Sequence, residues 1–288
     1  MICFRLIDLK DPAQPLADAV HALAQGAATQ DTYAVDPVSF RHVPNAPFAY
    51  WVSDTIRKLF TTLPPFENEE RTAKQGLATA DDFRFVRTAW ETPITPEELT
   101  QRNWYHFAKG GSYSSFYADI HLKVNWGNGS KQMWSIINPT INLPKSNIWM
   151  LGETIKKCFF KPGLTWPRRT TQFGLRILPK ECVFADKGPA AFVDNDNPES
   201  LLSLLAILLS SSADQLISLS LNAADKTARS FEVGVIQRTV IPERKNERLP
   251  KLALDAWSQK RRPDSANANS HAFVAPALAP SRVHSTLG

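Results

Sequence analysis

Apolar positions fall into short, interrupted runs along the chain, and their spacing changes twice. Residues 2–9, "ICFRLIDL", alternate well enough for a strand. Residues 13–25, "AQPLADAVHALAQ", place apolar side chains at helical spacing and run into Gly26, a C-terminal cap. A proline-punctuated connector follows at 31–47, and "FAYWVSDTIRKLFTTL" (48–63) predicts an amphipathic helix stopped by Pro64 and Pro65. From residue 68 to about 150 the runs shorten. Strand-like pieces at 83–90 and 121–126 alternate with glycine turns at 74–82, 109–115 and 125–131. Strand patterns at 171–178 and 182–193 come next. A helix pair at about 198–225, a last strand at 231–242 and a polar helix at 247–266 complete the series. The Pro/Ala-rich tail is expected to lack structure, and no internal repeat is visible. The pattern predicts an α+β fold with irregular mixed β structure in the middle and helices at both ends. Residues 1–65 are expected to be an α/β fragment, 66–243 the β-rich domain, and 244–288 the start of a helical region.

Composition narrows this picture little and charge distribution narrows it more. The chain has 288 residues, 43% hydrophobic and 21% charged, enough for one large domain or two small ones. Its net charge of +5 permits an anionic partner without demanding one. The most basic stretch lies between Lys156 and Lys187 and contains "GLTWPRRTT" (163–171). Three widely spaced cysteines, Cys3, Cys158 and Cys182, argue against a disulfide framework or zinc site and for a reducing compartment. The longest apolar run, 201–221, is broken by serines and carries Asp214, so it reads as core helix rather than membrane span. No basic region followed by an apolar stretch opens the chain. The expectation is a soluble cytoplasmic protein with no membrane partner.

Catalytic chemistry is sparse. No glycine loop follows a strand in the form that binds a dinucleotide or S-adenosylmethionine. "GNGSK" (127–131) lacks phosphate-loop spacing and reads as a hairpin turn. "LPPF" (63–66) puts Leu63 where amino-methyltransferases carry the Asn or Asp that holds the target amino group, and it reads as a helix stop. His271 reads as a packing or capping residue rather than a base. The pairs Asp81–Asp82 and Glu69–Glu70 read as solvated turns, with a nuclease metal site as the minor alternative.

Binding chemistry is better represented. Arg168 and Arg169 follow Pro167, which stiffens the loop, and an arginine fork can grip a phosphate or a guanine edge. Thr170 and Thr171 can bond phosphate oxygens, and Trp166 can either stack on a base or support the loop from below. "KGGS" (109–112) offers unhindered backbone N–H groups beside a cation.

Taken in order, "KQGLATADDFRFVRTAWE", "WYHFAKGGSYSSFYADIHLKVNWGNGS", "FFKPGLTWPRRTTQFGLRILPKECVFADKGPAAFV" and "SANANSHAFVAPAL" resemble the C-terminal target-recognition part of class I adenine-specific DNA methyltransferases, the type IIG restriction–modification and BREX phage-exclusion enzymes. The resemblance covers roughly residues 35–278. It implies a DNA-facing side made by Gln75, Gly76, Thr79, Arg84, Lys109, Gly110, Gly111, Ser112, Lys123, Thr165, Trp166, Arg168, Arg169, Thr170 and Lys187, and double-stranded DNA as partner. It implies that residues 1–65 are a remnant of a methyltransferase domain and linker helix. In the family a separate N-terminal domain binds S-adenosylmethionine and carries an Asn-Pro-Pro-Tyr/Phe loop, and the target adenine is flipped out of the duplex. Neither motif occurs in this chain. The expectation is therefore a DNA-recognition module with no catalytic residue or cofactor of its own, from a truncated or split gene or serving a separate methyltransferase subunit. A docking subunit of a phage-defence complex, or a nuclease with an unread site, are the rival readings.

Overall fold

Strands of two to five residues, punctuated by glycine and proline, cannot bury much alone and are gathered into sheets. The computed structural model describes residues 1–7, 9–27, 29–92, 102–221, 229–243 and 246–276. One four-stranded antiparallel sheet orders Arg176–Leu178, Gly163–Thr165, Ala190–Val193 and Arg71–Lys74. A second orders Cys182–Phe184, Trp104–Ala108, Leu122–Asn125 and Val86–Thr88, the first pair parallel and the others antiparallel. The phrase 182–193 is thus two strands, one in each sheet, joined by the turn at 186–189. With helices packed on these sheets, the architecture is α+β.

Each sheet carries its own apolar core. Phe85, Phe107, Val124, Met133, Phe159 and Phe184 fill the core on the second of these sheets. Phe66, Leu164, Trp166, Leu205, Phe231 and Ile236 fill the core on the first sheet, to which Ala253 of the helix Arg248–Arg261 also belongs. The apolar run 201–221 forms two helices, Pro198–Leu208 and Ser211–Ser220, bent by 74°. Leu201, Leu204, Leu205 and Leu208 are buried in that core. Among the described residues no single helix is long and apolar enough to cross a membrane.

The helix expected over 13–25 forms as Ala13–Ala24, and Gly26 closes it at φ +78°, with Ala27 N–H bonding Ala22 O at 2.9 Å. Other elements differ from expectation for local reasons. The strand at 2–9 is only Ile2–Phe4, paired with Thr32–Ala34 inside the presumed connector. The helix expected from residue 48 begins at Asp54, capped by Ser53. The guanidinium of Arg57 takes the carbonyls of Ala49 and Val52, which a longer helix would have used. Residues 83–90 open as a helical turn, Asp82–Phe85, capped by Asp81, before the strand Val86–Thr88. The turn expected at "GNGSK" instead opens a helix, Gly127–Ser135, in which Asn128 keeps the positive φ of a turn. The last strand, at 231–242, is a helix, Val233–Arg238; Phe231, Val235, Ile236, Thr239 and Val240 are buried at helical spacing. The tail 277–288 and residues 222–225 of the helix pair lie outside the described residues.

Candidate nucleic-acid interface

The turn at 186–189 is where four distant phrases meet. Leu77 N–H bonds Phe184 O at 2.9 Å, and Asp186 N–H bonds Leu77 O at 3.1 Å. Ala185 N–H bonds Ala108 O at 3.0 Å, and Arg168 N–H bonds Lys187 O at 3.0 Å. Two close approaches require glycine. A Cβ on Gly76 would stand 2.1 Å from Phe184 O, and one on Gly110, already at φ +83°, would stand 2.3 Å from Lys187 O. The backbones of 75–79, 109–112, 165–170 and 185–189 are thereby one cluster.

Side chains within the cluster divide by environment. Gln75, Gly111, Ser112, Arg169 and Lys187 are exposed, as is Arg84 on the adjoining turn Asp82–Phe85. Arg169 and Lys187 have no ion pair among the described residues, and Arg84 rests on the Phe85 ring at 5.4 Å. Arg168 is half-buried; its Nε stands 3.7 Å from Glu232 Oε1. Lys109 is held by Asp82. Thr79 is buried and donates to Asp82 Oδ1 at 2.6 Å. Thr170 turns its hydroxyl to Gln172 O at 2.6 Å. Burial raises the Asp82 carboxyl, but the hydrogen bonds of Lys109 and Thr79 and the charges of Lys109 and Lys187 outweigh it and hold the group below its usual range.

Four residues expected on the DNA-facing side are buried, Thr79 and three more. Trp166 is fully buried, and its indole N–H bonds Phe231 O at 2.8 Å, so it supports the arginine loop from below and cannot stack on a base. Thr165 is buried on its strand with its hydroxyl on Pro189 O at 2.9 Å. Gly76 is buried against Phe184. Lys123 lies on the strand Leu122–Asn125, where it donates to Thr92 Oγ1 at 3.2 Å.

Two further groups shape the surface. Arg176 is buried, and its guanidinium donates to Ser112 O at 3.3 Å and to Gly110 O. Burial pushes it down to about 10, so it stays charged at neutral pH. With both carbonyls taken from behind, "KGGS" is held as a fixed bend. An arginine inside the apolar run "FGLRIL" was the available sequence signal. The second group ties residues 260–272 to residues 115–120. Tyr117 donates to Asp264 at 2.9 Å, Lys260 to Ser115 O at 2.8 Å, and Ser270 to Asp119 at 2.7 Å. His271 Nδ1 lies 2.6 Å from Asp119 Oδ1. Burial raises Asp119, but the His271 and Ser270 hydrogen bonds prevail and bring it down to about 2. Ser270 bonds the carboxylate and not the imidazole, so this is a tether rather than a nucleophile with its base.

The remaining candidate chemistry is structural. Asp81 caps the turn Asp82–Phe85 through Arg84 N–H at 3.1 Å, and Asp82 is occupied by Lys109. Among the described residues no group of three His, Cys, Asp or Glu side chains could hold a metal ion. In "LPPF", Phe66 is fully buried with its N–H on Thr239 O at 2.7 Å, so this segment anchors core. Cys3, Cys158 and Cys182 are buried free thiols, and burial pushes Cys182 up to about 12.

No family model matches the chain. Among curated proteins it is similar to an adenine-specific methyltransferase, PglX of Lacticaseibacillus casei (strain Zhang), 23% identical over 279 residues that make up 94% of this chain and 22% of that protein. It is also similar to an adenine-specific methyltransferase, BrxX of Escherichia coli O9:H4 (strain HS), 27% identical over 202 residues, 67% of this chain and 15% of that protein. The chain thus spans about a fifth or less of the length of the curated relatives it matches. These likenesses relate the chain to adenine-specific methyltransferases.

Proposed function

We propose that the chain is a DNA target-recognition module of an adenine-specific methyltransferase, of the restriction–modification or BREX phage-defence kind, and that it does not methylate by itself. The observation that carries this reading is the convergence of 75–79, 109–112, 165–170 and 185–189 on one turn, with Arg84, Arg169 and Lys187 exposed around it. Exposed cations on a stiff backbone suit phosphate positioning, and an arginine fork suits a guanine edge. The residues described do not fit S-adenosylmethionine. The strand Ile2–Phe4 reaches the helix Ala13–Ala24 through residues 5–12, which contain no glycine, and the Leu63 side chain cannot accept a hydrogen bond from an adenine amino group. Methylation would thus fall to a separate bacterial domain or subunit acting on the same cytoplasmic, nucleoid-associated DNA.

The test is duplex binding by the wild type, by Arg169→Ala with Lys187→Ala, and by Arg168→Ala, over a salt series. Weaker binding by the double variant, with unchanged thermal unfolding, is expected. Equal binding by wild type and double variant would sink the assignment. Methyl incorporation by the purified chain given S-adenosylmethionine and DNA would overturn the non-catalytic part.

A second role has its own observation. Ile2, Ile7, Leu9, Leu16 and Val20 are all exposed within the first twenty residues, and exposed apolar side chains in this number suit the docking of another polypeptide. A stable complex with a methyltransferase subunit by size exclusion, without any DNA binding, would make docking the whole function.

A further inference from the structure

Two phenylalanines on the turn Asp82–Phe85 have opposite surroundings. Phe85 is 1% exposed and belongs to the core on the second sheet. Phe83 is 90% exposed, more than any other large apolar side chain among the described residues, and belongs to none of the apolar cores. The turn that carries it is fixed. Asp81 caps it through Arg84 N–H, and Phe85 N–H bonds Asp81 O at 3.1 Å. The guanidinium of Arg87 donates to the carbonyls of Phe83 and of Val86, the second at 2.8 Å, and lies 5.6 Å from the Phe83 ring centroid. Asp82 is tied to Lys109 and to Thr79, so the turn is joined to two phrases of the loop cluster.

A phenyl ring has no donor or acceptor with which to read a base edge. It can slide between stacked base pairs, as apolar side chains do in proteins that bend DNA. That use needs a ring held out on a stiff support, with cations beside it for the phosphates. Both are present. Arg84 is exposed next to Phe83, and Arg87 is half-buried against it. Lys187 stands near enough for its charge to lower the Asp82 carboxyl. Of the carboxylates on the turn, Asp81 is taken by the cap and Asp82 by Lys109 and Thr79.

We propose that Phe83 is a wedge: it inserts between two adjacent base pairs that stay paired and inside the duplex, and it kinks the helix there while Arg84 and Arg87 hold the phosphates beside the kink. Pyrimidine–purine steps unstack most easily, so the ring selects sequence through deformability and not through a base edge. The inference rests on the DNA reading for the duplex itself, but the wedge can fail alone.

The experiment has two readouts, each with the full chain as wild type, Phe83→Ala and Phe83→Leu. The side chain is exposed, so folding is expected to survive and is checked by thermal unfolding. In the first readout, ligase closes a fully paired fragment of about 120 base pairs, shorter than the persistence length of about 150. Each protein is present at a concentration that saturates its binding. The wild type is expected to speed closure about tenfold or more over bare DNA. Phe83→Ala should lose that gain, and Phe83→Leu, still an apolar wedge, should keep most of it. In the second readout, fluorescence anisotropy compares two duplexes of about 30 base pairs, one of alternating pyrimidine–purine steps and one with an all-purine strand, which has no such step. The wild type should prefer the first about tenfold, and Phe83→Ala should bind both alike. Closure no faster with the wild type than without protein overturns the wedge and leaves the DNA reading standing. A gain in closure that survives in Phe83→Ala places the bend elsewhere and also overturns it. No binding of any duplex overturns both. Self-association lost in Phe83→Ala, with no faster closure by the wild type, assigns the ring to a second copy of the chain and overturns the wedge too.

Discussion

Arg176 brings a full charge to a site 7% exposed and meets backbone carbonyls there. Replacing it by Met keeps the length and removes the donors, leaving the Gly110 and Ser112 carbonyls without their partner at a cost of about 1–3 kcal/mol. Arg176→Met is expected to unfold at lower urea and to exchange the amide hydrogens of 110–113 faster, with weaker duplex binding although no surface cation is lost. Unchanged exchange in that loop would refute the bracing role. Trp166 and Arg169 sit three residues apart with opposite expected signatures. Trp166→Ala should cost about 3–5 kcal/mol of stability, and Arg169→Ala within about 0.5 kcal/mol, because only the first empties a packed site. Denaturant titration of both variants checks this. Asp119 supplies a pH signature. Its carboxyl is lowered in the fold from 3.8 to about 2, so its contribution is complete above pH 3.8 and is lost as pH falls towards about 2. The stability difference between wild type and Asp119→Asn should be constant from about pH 5 upward and should shrink below pH 4. A difference that grows with acid would contradict the His271–Ser270 tether.

Among the elements, the crossing of 182–193 between two sheets depends on contacts that tolerate no side chain. Gly76→Ala would drive a Cβ into the Phe184 carbonyl, to which Leu77 N–H is bonded, so the pairing itself must shift. The cost is expected at about 1–3 kcal/mol. Gly152→Ala has open space at an ordinary helical position and should stabilise by about 0.4–1 kcal/mol. Thermal unfolding of the two variants should therefore move in opposite directions. The sequence made some elements plain and hid others for identifiable reasons. Gly26 and the prolines at 64 and 65 act locally, and their helices end where expected. The segment 231–242 reads as a strand from its Val and Ile content, and the helix Val233–Arg238 was not legible because the burial of Val235 and Ile236 depends on the core they pack into. The start at Asp54 was not legible, because the carbonyls that Arg57 captures are known only once the turn at 47–52 is folded. At the site, the grouping of "QGLAT", "KGG", "PRRT" and "ADKGP" was visible as an order of phrases. Which of their side chains face outward was not visible, since Trp166 and Thr165 owe their burial to residues 231 and 189.

For the molecule as a whole, net charge says less about DNA than the count of cations left free at one surface. The chain carries +5, yet Lys109 is neutralised by Asp82, and Arg168 is shared with Glu232. Arg169 and Lys187 remain exposed in the cluster and Arg84 on the adjoining turn Asp82–Phe85, with Arg168 a partial fourth. Each phosphate neutralised contributes about −0.9 to the slope of log K against log salt, so three to four contacts give a slope of about −3 to −4. Between about 50 and 200 mM salt the affinity should therefore fall by roughly 40- to 150-fold. This is a modest dependence. Arg169→Ala should flatten the slope by about one unit, and Lys109→Ala should change it little, because that ammonium already has its carboxylate. Fluorescence anisotropy with one duplex at five salt concentrations resolves the difference. A slope that stays the same in Arg169→Ala, or one that flattens equally in Lys109→Ala, would show that the phosphates are met somewhere other than around the turn at 186–189.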